Sequence, residues 1–204
     1  MKNYISKYIS GNKEEIIYLL GCIVIGFIAA VITFLAISGE IKSDIKHEIE
    51  NSLKLSQSDE YIRVNVIYSG IKNNIVFIIL IWLSSIMMYG KFLIGFFYLA
   101  KGFSIGIYTY MLFIIFGFGY GLLEVLLLVI FVNAIYIPAI IGVGVIYINN
   151  NNNIFYKGKS FVNDNYSKYF NLIRLLLYTI VIFSSVILEQ LMSSFTISIY
   201  NKLP

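Results

Sequence analysis

The chain has 204 residues, 59% of them hydrophobic and 13% charged, with a mean hydropathy of +0.82 and a formal net charge of +4. A water-soluble domain carries about a quarter of its residues charged, so this composition excludes that class and points to a polytopic integral membrane protein in contact with a lipid bilayer. The small positive charge is spread along the chain without a basic stripe to track a phosphate backbone, which excludes nucleic acid as a partner.

A helix needs about 20 mostly apolar residues at 1.5 Å each to cross a bilayer. Five such runs in a single membrane domain, residues 1–204, predict an all-α helix bundle. The first covers residues 16–38 and holds Cys22, the single cysteine, so no internal disulfide forms. "LLGC" superficially resembles a lipoprotein processing site. The apolar stretch before it is short, however, Glu14 and Glu15 precede it, and the run continues past it. It reads as a retained membrane helix with Cys22 as a small buried residue.

Residues 39–72 form a polar, extracytoplasmic segment. Ile41, Ile45, Ile49 and Leu53 recur every four residues there with charges between them, the period of an amphipathic helix. This stripe is a candidate docking surface for a partner. "YIRVNVIY" (61–68) alternates like a strand, but a lone strand has no partner, so a second short helix or irregular structure is expected. The second span covers residues 73–89 and the third 92–116. A glycine-rich hairpin, "GFGYG" (117–121), leads into the fourth, 122–148. Residues 149–170 open on an asparagine tract and read as a cytoplasmic linker, and the fifth span covers 171–200.

Orientation follows positive charge. With the N-terminus in the cytoplasm, that side holds Lys2, Lys7, Lys13, Lys91, Lys157, Lys159, Lys168 and Arg174, against Lys42, Lys46, Lys54, Arg63, Lys72 and Lys202 outside. The expectation is a cytoplasmic N-terminus and an extracytoplasmic C-terminus.

Few polar groups lie at membrane depth: Lys101, Glu124, Asn133, Pro138 and Glu189. A lone charge there costs at least ~2.5–3.5 kcal/mol. Lys101 is 16 residues before Gly117, about 24 Å along a helix. The same count from Gly121 reaches Ile137. Pro138 leaves the Ala134 carbonyl without its helical donor, and Asn133 offers an amide oxygen, so these are the expected partners of Lys101. Glu124 and Glu189 are expected near the outer end, level with each other and too far for a direct ion pair with Lys101. The expected role of the set is packing glue between helices.

Gly102 and Gly106 form a small-xxx-small pair, read as an internal contact that lets the fourth helix come close, with a homodimer interface as the alternative. His47 stands without companion Cys or His, and no nucleophile elbow or phosphate-binding loop occurs. The expectation is therefore no enzyme, no metal and no cofactor.

"NN" (73–74), "LAKGFSIGI" (99–107), "FVNAIYIPAI" (131–140) and "ILEQLMSSF" (187–195), in this order on successive helices, resemble the stage II sporulation protein M family. By position, the family's lysine-glycine step falls on Lys101–Gly102, its asparagine and proline on Asn133 and Pro138, and its last-helix glutamate on Glu189. Where the family often has a Leu-Pro pair, this chain has Ile130–Phe131, so one of two helix breaks is expected to be absent. The resemblance implies a non-enzymatic membrane scaffold in endospore formation. Such a scaffold recruits and anchors the sporulation peptidoglycan hydrolases D and P at the septum during engulfment, in the mother-cell septal and engulfing membrane. The alternative is a channel or transporter subunit that uses Lys101 and the Pro138 helix break.

Overall fold

The computed structural model describes residues 9–44, 47, 60–155 and 165–200. Every element within them is helical: α1 (Lys13–Ala36), α2 (Glu60–Ile86), α3 (Gly90–Glu124), α4 (Val132–Phe155) and α5 (Asn165–Tyr200), with a π-helical segment (Val125–Phe131) between α3 and α4. Among the described residues, five helical stretches are long and apolar enough to cross a membrane. Their outward faces are apolar as well. Ile25, Ile32 and Leu35 on α1 and Ile180 on α5 are 59–66% exposed, a pattern that suits lipid and not water. The chain is an all-α, polytopic membrane bundle.

Both ends of the segment between the first two spans are helical. Residues 39–44 are helical, with Ile41 exposed, while Ile45, Ile49 and Leu53 lie outside the described residues. α2 already begins at Glu60, so "YIRVNVIY" continues into the second span as helix. A helix satisfies its backbone groups within itself, which a lone strand cannot do.

The asparagine tract corrects the linker reading at its start. α4 runs to Phe155, and the tract is held by tertiary bonds. Asn149 Nδ2 donates to Asn12 Oδ1 at 2.8 Å. Asn151, fully buried, donates through Nδ2 to the carbonyls of Ser85 (3.0 Å) and Met87 (2.8 Å). The Ser85 carbonyl stands where α2 ends and has no further turn to donate to it, while the Met87 carbonyl also accepts from the Gly90 N–H at 2.9 Å, so an asparagine on α4 caps α2 at long range.

The hairpin between the third and fourth spans turns at Gly117, where φ is +71°. An L-residue with a side chain pays roughly 1–2 kcal/mol there. Beyond it the chain doubles back: Gly121 lies against Leu112 and Phe113, and Leu112 packs with Leu128 and Val129. Further down, the Tyr98 hydroxyl donates to the Ile140 carbonyl, within a core that includes Ile81, Ile94, Val143 and Ile148. α5 lies along α4, with the Tyr178 ring against Gly142.

The glycines of α3 face α1, which corrects the expectation that they admit the fourth helix. A Cβ at Gly102 would overlap the Ile23 carbonyl, one at Gly106 would meet Ala30 Cβ at 2.7 Å, and one at Gly26 would overlap the Leu99 carbonyl. Gly102 and Gly106 are buried, so α1 covers this pair and it offers no surface to a second copy.

Gly102→Leu must push α1 from α3 and is expected to lower stability by ~1–3 kcal/mol. Gly119, with nothing within 4 Å of an added Cβ, is expected to accept leucine within about 0.5 kcal/mol. Unfolding titrations in mixed detergent compare the two, and equal losses would contradict the α1–α3 packing.

Candidate functional site

α3 sets the site by its angular spacing. Successive helical residues lie about 100° apart, so with Gly102 against α1, Lys101 turns towards α2 and α4. There it lines a cavity of about 160 Å³ walled by all four of α2, α3, α4 and α5, through Asn74, Tyr108, Asn133, Tyr136 and Glu189 among others. Lys101 Nζ stands 4.9 Å from the Tyr136 ring centroid and 5.8 Å from that of Phe77. Each desolvated cation–π contact contributes up to ~2 kcal/mol, comparable to the cost of the buried charge.

The aromatic floor is itself fixed. The Tyr136 hydroxyl donates to Asn74 Oδ1 at 2.7 Å, and Asn74 Nδ2 donates to the Gly70 carbonyl at 3.0 Å. Both residues are buried, and in a low-dielectric interior such a chain holds one geometry. Three other lining side chains also donate to carbonyls of their own helices. Asn133 Nδ2 donates to Val129 (2.7 Å), Ser185 to Ile182 (2.7 Å) and Ser104 to Ala100 (3.1 Å). Their oxygens remain as acceptors, so the wall is rich in lone pairs and Lys101 is its charged donor.

Asn133 and Ala134 make no hydrogen bond to Lys101. This corrects the expected partners, because Lys101 Nζ is directed over the Tyr136 and Phe77 rings instead. Depth counting found the right level on α4, but the ring of Tyr136 occupies it. The opposite charge comes from Glu189, which faces the same cavity within electrostatic reach of Lys101. Glu189 is the last residue of the span Asn171–Glu189 and forms no direct ion pair with Lys101, both as expected, yet it lines the Lys101 cavity, which was not expected. The count had no register for α5, which packs on α2 as well as on α4, with Val186 against Gly70 of α2. Glu124 is buried in the wall near Tyr108, outside the cavity lining.

The cavity's α4 wall (Val132, Asn133, Tyr136) lies between two departures from regular helix. Val125–Phe131 is π-helical, and Pro138 stands inside α4. The chain therefore has an irregular turn where the sequence pattern predicted none. At its end the Val129 carbonyl accepts from both the Val132 N–H and Asn133 Nδ2. Such π turns occur often at functional sites.

Asn74, Tyr136 and Phe77 were not singled out as site residues in the sequence. Tyr136 lies three residues after Asn133, on the same helical face, and Asn74 is one of the few amides within a span. Those two signals pointed here. Among the described residues no group of three His, Cys, Asp or Glu could hold a metal ion.

The family model described as Stage II sporulation protein M matches residues 16–194. No curated protein and no solved structure matches the chain.

Removing one charge of a buried pair costs more than removing both, since the survivor is left uncompensated. Lys101→Met is expected to destabilise by ~3 kcal/mol, and Lys91→Met, over the Tyr18 ring near a helix start, by under ~1 kcal/mol. Adding Glu189→Gln to Lys101→Met is expected to recover ~1–2 kcal/mol. Additive losses in that double-mutant cycle would refute the pairing.

Proposed function

The chain belongs to the stage II sporulation protein M family, and from that premise we propose that it is a non-enzymatic membrane scaffold of endospore formation. In this reading it recruits and anchors peptidoglycan hydrolases, the sporulation hydrolases D and P, at the septum while the mother-cell membrane engulfs the forespore. The observation that carries the proposal is the family match over residues 16–194. The protein is a sporulation membrane protein with several spans; its scaffold role, its partners and its septal place are the proposal.

Two features support the reading. The segment between α1 and α2 is the longest stretch between spans and sits outside the cell when the N-terminus is cytoplasmic. Its helical start leaves Ile41 exposed, at the head of the apolar stripe that docks the hydrolases. The membrane part, in turn, is tied internally. Lys101 rests on aromatic rings of two helices, and Asn151 joins α4 to the end of α2, as a rigid platform requires.

The polar cavity at Lys101 and Glu189 favours a second reading, a channel or transporter subunit. The two separate in one comparison. Crosslinking pull-down from sporulating cells is expected to recover the hydrolases with the full chain and to lose them when residues 39–59 are replaced by a neutral linker. Ion or solute flux through reconstituted liposomes, with hydrolase localisation unchanged on deletion, would sink the scaffold and favour the channel.

A further inference from the structure

A second cavity, of about 450 Å³, lies at the end of the bundle where α1 begins and α4 finishes. Its lining joins two chemistries. Asn150, Asn153 and Asn171 contribute amides beside the Arg174 guanidinium, while Trp82 and Leu172 contribute apolar surface that is 48% and 57% exposed. A site for a water-soluble molecule has no use for such an open apolar flank. A membrane lipid needs both parts at once.

The depth agrees. Trp82 lies four residues before the end of the span Tyr68–Ile86, and Arg174 three residues after the start of the span Asn171–Glu189. Both therefore stand about one helical turn inside the membrane boundary, where indole rings settle at the level of lipid headgroups. A further order is built in behind them. Asn149 is bonded to Asn12 at 2.8 Å, and this bond fixes the start of α1 against the end of α4 as the back of the cavity.

We propose that this cavity is a binding site for an anionic phospholipid. The phosphodiester oxygens accept hydrogen bonds from the Arg174 guanidinium and the asparagine amides, a planar donor set that suits phosphate. The glycerol and first acyl carbons lie on Trp82 and Leu172. A headgroup with no cation of its own leaves the phosphate charge to Arg174, so phosphatidylglycerol is preferred to phosphatidylcholine. Basic pockets between membrane helices hold lipid headgroups in this manner. The site is separate from the Lys101 cavity and does not depend on the scaffold reading.

The test uses the purified full chain in detergent, with native mass spectrometry after incubation with equal amounts of phosphatidylglycerol and phosphatidylcholine of matched acyl chains. The chain is expected to retain phosphatidylglycerol about fivefold over phosphatidylcholine, the ratio that one interfacial cation supplies. Arg174→Gln is expected to reduce that ratio to near one, while Lys91→Gln at the same end of the bundle leaves it unchanged. Should Arg174→Gln fail to fold, Asn153→Asp sets a negative charge at an exposed edge of the cavity and is expected to abolish the preference as well. Equal retention of the two lipids, or a preference that survives both substitutions, overturns the proposal. Displacement of the bound lipid by millimolar glycerol 3-phosphate would assign the site to free phosphate esters and overturn the lipid assignment.

Discussion

Lipid tails are as apolar as leucine, so nothing drives the apolar faces of these helices together, and the bundle is held where backbones touch and where polar groups find partners. The closest backbone approach is between α1 and α3, at Gly26, Gly102 and Gly106. Dispersion contacts are individually small, and only side chains as short as these let enough of them form. This contact also sets the rotation of α3. With Gly102 turned to α1, Lys101 lies about 100° round the helix and points away from α1, where α2 and α4 receive it. The position of the one charge in the middle of α3 thus follows from a glycine beside it.

Lys101 is met by a ring from α4, a ring from α2 and a carboxylate from α5, so its charge ties α3 to three further helices. Two aromatic faces and a carboxylate across a cavity avoid the full desolvation that a tight buried ion pair demands. Asn74, Ser104, Asn133 and Ser185 bond carbonyls of their own helices, so their donors are satisfied locally while acceptors remain in the wall. Asn151 does the same between helices. Its amide serves two carbonyls at the end of α2, where a lysine or arginine would bring an extra charge to a fully buried place.

Much of the architecture was legible in the residues. Apolar runs located the spans because a bilayer demands continuous hydrophobic length, and "GFGYG" located the turn because a left-handed residue is needed there. Counting along the hairpin put Lys101 level with the residues around Ile137, and its ring partner, Tyr136, is next to that position. The failures share a cause. The partner of Gly102 is α1, Glu189 reaches the Lys101 cavity, and an asparagine of a low-complexity tract is buried. Each depends on the rotation or register of one helix against another that is not its hairpin neighbour. Hydropathy gives length, and a hairpin turn gives register, but neither gives rotation. A helix that is apolar all round carries no stripe from which rotation can be read.

The π segment shows how such a constraint writes itself into the backbone. "VLLLVIF" contains no proline or glycine, so no local propensity asks for a wide turn. The demands come from both sides of it. Leu128 and Val129 pack on Leu112 next to the hairpin, while Tyr136 must meet Asn74 and Lys101 lower down. In a regular helix those two sets hold a fixed angle to each other. An added residue within a turn shifts everything after it by about 100°, which lets both sets face their partners. The position at which the family pattern carries a proline break is occupied here by Phe131, at the end of this turn. The irregularity in the wall of the cavity is therefore reached by packing, without a residue that breaks helices.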